Sequence, residues 1–218
     1  MTLIIFCSWL AATEILVPRL KAQESVALIM LAASLLVFRT FRERYLLVWI
    51  VGWLAYFVSR WTVSDPIADS AGYLTAISEA EFVLAVCLFA AAVFIYAHAQ
   101  KLLAPLLIIA VSLVTYSAVR VLLWPDSIIL RLALEIAYRM VACVAVFQVI
   151  RFRWARSEIG PWLLSFSLLM LHLNWTPITF HMPPGSGLIA TVLAGLSMLL
   201  LVFDDYKMRT RRLGWLTR

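Results

Sequence analysis

Long apolar runs alternate with short polar connectors along the chain, and the runs have the length of helices rather than strands. Stretches near 26–41, 45–61, 78–99, 102–124, 128–150, 160–181 and 186–203 each approach the roughly 20 residues that a helix needs to cross a hydrocarbon layer. A weaker candidate covers 2–17, set off from the next run by Pro18 and the polar stretch 19–25. The longest connector, 62–77, carries the turn signals Ser64-Asp65-Pro66 and Ala71-Gly72, and 181–187 carries Pro183-Pro184-Gly185. Short connectors place sequential neighbours antiparallel. The pattern predicts an all-α, polytopic transmembrane helix bundle with seven or eight spans and no soluble domain. If 2–17 spans, there are eight helices and the N-terminus lies inside; otherwise there are seven and it lies outside.

Composition agrees with this architecture. The 218 residues are 64% hydrophobic and 14% charged, against roughly 45–50% and about 25% in soluble domains. A soluble fold of this size has too little interior for so much apolar surface. Soluble enzymes, secreted disulfide scaffolds and nucleic-acid readers are excluded despite the net charge of +6, which makes the lipid bilayer the first partner. Cys7, Cys87 and Cys143 lack CxxC spacing, and His98, His172 and His181 do not cluster, so no metal and no cofactor is expected. No P-loop, H-E-x-x-H, G-x-S-x-G or dinucleotide fingerprint is present, nor a lysine within the last span.

Charge distribution orients the spans. Connectors 39–44, 98–101 and 151–158, together with the tail 204–218, carry twelve Lys and Arg, whereas the alternate connectors carry only Arg19, Lys21 and Arg60. That asymmetry predicts a cytoplasmic C-terminus. Trp61, Trp124 and Tyr73 then fall near the outer interface, with Trp154 and Tyr206 near the inner one.

Ionisable side chains within a bilayer cost about 2.5–3.5 kcal/mol each on insertion scales, so each needs a reason. Glu14, Glu79, Glu81, Arg120, Arg131 and Glu135 all fall in the outer half of this topology, with Arg139 near the middle and His172 between the middle and the outer side. Arg131, Glu135 and Arg139 recur at i, i+4 and i+8 and share one helix face. They read either as pairs that fix helix packing or as the floor of an outward-facing polar pocket whose surplus arginine receives a small anionic ligand. Glu79 and Glu81 lie within reach of Arg131 if their helix adjoins. Ser165, His172, Thr176 and Thr179 form a second polar stripe beside Pro177. Gly187, Thr191 and Gly195 permit close helix approach, within the bundle or at a homodimer seam.

Two stretches carry a resemblance. Residues 39–57, RTFRERYLLVWIVGWLAYF, resemble the first cytoplasmic turn and following helix of multi-span input regions in bacterial signalling proteins. Residues 201–213, LVFDDYKMRTRRL, resemble the exit of such regions into a cytoplasmic signalling helix. These seven-span membrane sensor regions precede sensor histidine kinase or diguanylate cyclase modules. The resemblance implies location in a bacterial inner membrane and a non-enzymatic sensory role. It also implies a partner signalling domain, attached in cis or supplied in trans, because no output module lies within the 218 residues. A small transporter or channel is the alternative reading, and a membrane enzyme acting on lipid stands behind it.

Overall fold

The computed structural model describes residues 22–63, 73–153, 166 and 186–216. Six α-helices account for nearly all of them: α1 (Ala22–Phe41), α2 (Arg44–Val63), α3 (Tyr73–Tyr96), α4 (Leu103–Leu123), α5 (Ile128–Arg153) and α6 (Ser186–Leu216). A single 3-10 turn, Gln100–Leu102, leads into α4. Helix α3 begins five residues before the expected apolar run, and the run expected over 186–203 forms the first part of α6, which continues through the basic tail to Leu216. The expected spans 2–17 and 160–181 lie outside the described residues.

Among the described residues, four segments, Glu24–Phe41, Tyr73–Tyr96, Gln100–Leu123 and Ile128–Arg151, are long and apolar enough to cross a membrane. Helix α2 is of matching length and packs between two of them. Its hydropathy is lowered by Trp49, Trp53, Tyr45 and Tyr56, but these face inward and are buried. Outward faces are apolar instead: Ile29, Leu36, Leu107, Ile108, Ile129 and Phe147 are all exposed. A bundle that buries aromatic and polar groups while exposing aliphatic ones has the polarity expected of a structure solvated by lipid.

Helix α3 is the centre of the bundle and packs against α2, α4 and α5, while α1 packs on α2 and α6. The α2–α3 seam is aromatic. Tyr45, Trp49, Trp53 and Tyr56 recur at helical spacing; Tyr45 meets Tyr96 and Trp53 meets Phe89 edge-on, at 5.3 and 5.1 Å between ring centroids, and Tyr56 meets Phe82 at a tilt at 6.3 Å. Rings at these distances and tilts add about 0.5–1.5 kcal/mol per pair beyond their area. Gly52 permits the approach, since a Cβ there would stand 2.8 Å from the Phe89 ring.

These contacts also set direction. Tyr45 opens α2 and touches Tyr96 at the end of α3, so the two helices are antiparallel. One end of the bundle, called basal below, carries the 42–43 and 97–99 turns; the apical end carries the 124–127 turn. Helix α6 runs parallel to α1. Gly195 faces Met30, and Phe41 meets Tyr206 at 5.5 Å near the basal end. Gly195 and Thr191 of α6 thus serve contacts inside the bundle, Thr191 being buried with its hydroxyl 3.3 Å from that of Tyr56. Of the polar stretch 19–25 that sets off the apolar run at 26–41, Glu24 falls within the first turn of α1 and is buried, only 2% exposed.

Turn chemistry explains the basal end. His98 adopts φ 54°, its N–H donates to the carbonyl of Ile95, and the N–H of Ala99 donates to that of Phe94. This paired closure satisfies carbonyls that the end of α3 would otherwise leave open. At the apical end Ser127 caps α5, its Oγ accepting the N–H of Leu130 at 3.4 Å.

Candidate functional site

Five charged side chains gather in the apical half, drawn from three helices. Glu79 lies six residues into α3, Arg120 three residues before the end of α4, and Arg131, Glu135 and Arg139 along the first half of α5. Because α3 and α4 are antiparallel neighbours, as are α4 and α5, these positions converge at one level.

Arg120 is the most deeply buried cation among the described residues, with its side chain 4% exposed. One terminal nitrogen donates to both oxygens of Glu79 at 2.5 Å, and the other reaches the carbonyl of Pro125 at 3.5 Å. The guanidinium therefore joins α3 to α4 and holds the following turn. A charge-assisted pair of this kind is much stronger than a neutral hydrogen bond.

Glu135 is equally buried, with its side chain 4% exposed, and stands between two arginines of its own helix. Arg131 Nε lies 3.6 Å from one carboxylate oxygen and an Arg139 terminal nitrogen 3.5 Å from the other. At those separations the attraction is that of ion pairs, and neither oxygen makes a hydrogen bond. Arg131 is 40% exposed and Arg139 24%, so the carboxylate is the most desolvated member of the trio. Arg139 lies eleven residues into α5, about 17 Å along its axis, beyond easy reach of either surface.

Three guanidinium groups and two carboxylates leave the cluster with one surplus positive charge. Between the two groups lies a cavity of about 10 Å³ lined by Glu79, Phe82, Val83, Arg131, Leu134, Glu135 and Tyr138. That is room for at most one water. The arrangement is a closed charge network rather than an open cleft, and admission of an anion requires one arginine to exchange Glu135 for the incoming group.

Of the residues singled out from sequence, the structure brings together Glu79, Arg120, Arg131, Glu135 and Arg139. Glu81 stands apart: it is on α3 but takes part in no ion pair among the described residues. Glu14 and His172 lie outside the described residues. Glu79 pairs with Arg120 rather than with Arg131, the partner suggested by sequence. Sequence reasoning passed over Tyr138 and Phe82, which wall the cavity with their rings 5.8 Å apart. Tyr138 could have been found, since it follows Glu135 by three residues on the same helix face. No potential metal site of three or more His, Cys, Asp or Glu exists among the described residues. Comparison with protein-family models, with curated proteins and with solved structures finds no match to this chain.

Proposed function

We propose that the chain is a membrane-embedded sensory input module, a bundle of seven or eight spans in a bacterial inner membrane with its C-terminus in the cytoplasm. The observation that carries this reading is α6. It is a packed member of the bundle, touching Tyr56 and Met30, and it continues without a break past Phe203 to Leu216. The continuation adds about 20 Å of helix beyond the apolar segment. Its charges, Lys207, Arg209, Arg211 and Arg212, suit a cytoplasmic membrane surface.

The span count has support of its own. Helix α5 ends at the basal end, whereas α6 begins at the apical end, which favours a further crossing near 160–181. Trp61, Tyr73 and Trp124 are all exposed at the apical end, where an aromatic interfacial belt belongs.

In this account the charge cluster is the receiving element. An anionic group arriving from the outer side competes with Glu135 for Arg131 and Arg139. Glu135 adjoins Tyr138, whose ring meets Phe82; Phe82 meets Tyr56, and Tyr56 meets Thr191 of α6. The contacts thus run unbroken from cluster to exit helix, and a change in the first is felt as repacking of the last.

The test is a fusion of the chain, in helical register after Leu216, to a diguanylate cyclase domain, with cyclic dinucleotide measured in cells. Insertion of one to four residues at the junction should modulate output with a period near 3.6 residues, and Glu135→Gln should shift it. Output indifferent to both changes would remove the sensory reading.

A further inference from the structure

Helices α4 and α5 touch at the apical end, where Tyr116 Oη donates to the carbonyl of Leu130 at 3.1 Å, and they separate toward the basal end. The separation opens a cavity of about 380 Å³ between them, floored by Phe94 of α3. Leu102, Pro105, Leu106 and Ile109 form one wall, and Ala137, Met140, Val141 and Val144 the other. No charged or hydrogen-bonding side chain is among them. Ile109, Met140 and Val144 are exposed, so the cavity opens sideways from the bundle.

Physical chemistry restricts what can fill it. Water needs two to four polar partners, which these walls lack. An empty void forfeits the dispersion contacts of every atom lining it. The filler is therefore apolar and comes from the side. Volumes of this order match a small flexible ligand. Charge at the mouth selects further. The cavity's basal limit is Leu102, and Lys101, the preceding residue, is exposed. Arg151, also exposed, lies at the same end of the bundle on α5.

We infer that this groove is a phospholipid site: one acyl chain of an anionic inner-leaflet lipid lies between α4 and α5, with its headgroup at Lys101. The inference rests on the membrane reading above, and its test separates the two. Purified protein is placed in vesicles of phosphatidylcholine doped with phosphatidylglycerol carrying a mid-chain diazirine. After photolysis, labelled residues are located by mass spectrometry, with Ile29 and Leu36 on the outer face of α1 as the reference for general lipid contact.

The expected pattern is labelling of Ile109, Met140 and Val144 well above the reference. Ala137→Trp should abolish that excess while leaving Ile29 and Leu36 unchanged. Lys101→Gln, a substitution at an exposed position, should lower the preference for the glycerol over the choline headgroup about fivefold. Labelling of the groove no greater than that of α1, or occupancy by a protein segment detected as a crosslinked peptide, would overturn the site while leaving the membrane reading intact. Absence of label at Ile29 and Leu36 would instead overturn the membrane reading.

Discussion

Removing Glu135 takes a shared carboxylate from two arginines in the apical half of the bundle, and the cost can be worked from the geometry. At 3.5–3.6 Å and an effective dielectric near 20, each pair is worth roughly 4–5 kcal/mol of attraction before desolvation. Burying the carboxylate offsets much of this, so the pairs as a set contribute little net stability, yet deleting one partner of a buried pair typically costs about 3–5 kcal/mol. The two arginines do not share that cost equally. Arg131 is 40% exposed and is screened when left alone, whereas Arg139 is 24% exposed and lies deeper in α5. Glu135→Ala should therefore destabilise by about 3–4 kcal/mol, toward the lower part of that range. Glu135→Ala with Arg139→Ala should recover most of the loss, and Glu135→Ala with Arg131→Ala distinctly less. The reference is Asp126→Ala in the exposed apical turn, expected within about 0.5 kcal/mol of the unsubstituted protein. Glu24 does not serve as that reference, being buried. Unfolding of the purified protein in mixed micelles, followed by circular dichroism, reads all five proteins. A double variant with Arg139→Ala no more stable than Glu135→Ala alone would refute the pairing argument.

Other substitutions probe the seams. Gly52→Ala, whose Cβ would press on the buried Phe89 ring, should cost about 1–3 kcal/mol in the same unfolding assay. Gly195→Ala should cost less, because the obstructing atoms belong to the flexible Met30 side chain, which can swing aside. Tyr56→Phe deletes the hydroxyl contact with Thr191 and should lower stability by about 1 kcal/mol. In the cyclase fusion, Tyr56→Phe should also weaken the response to Glu135→Gln, which separates transmission from mere stability.

Much of the architecture is legible in the chain because a bilayer enforces helix length and apolar composition together. The runs at 26–41, 45–61, 102–124 and 128–150 became helices with ends shifted by a few residues. The start of α3 moved most: the run expected from 78 already held Ser78, Glu79 and Glu81, and the helix adds Tyr73 to Ile77 ahead of them. The i, i+4, i+8 spacing exposed the Arg131–Glu135–Arg139 row, since neighbours within a helix are fixed by its pitch. The Arg120–Glu79 pair was not legible, because it depends on which helices adjoin and at what height. The burial of Glu24 was illegible for a related reason: whether a short polar stretch is covered depends on the neighbouring elements. The choice between an internal contact and a dimer seam for Gly195 likewise rested on α1, whose Met30 fills the space that the glycine leaves.

The central claim is the sidedness of the bundle, with the charge cluster toward the outside and the exit helix in the cytoplasm. Cysteine accessibility in intact cells tests it most directly, in a background with Cys7, Cys87 and Cys143 replaced. Asp126→Cys in the apical turn should react with a membrane-impermeant maleimide added outside, and Thr210→Cys on the exposed tail of α6 should react only after permeabilisation. Reaction of Thr210→Cys in intact cells, with Asp126→Cys protected, would invert the bundle and contradict the account.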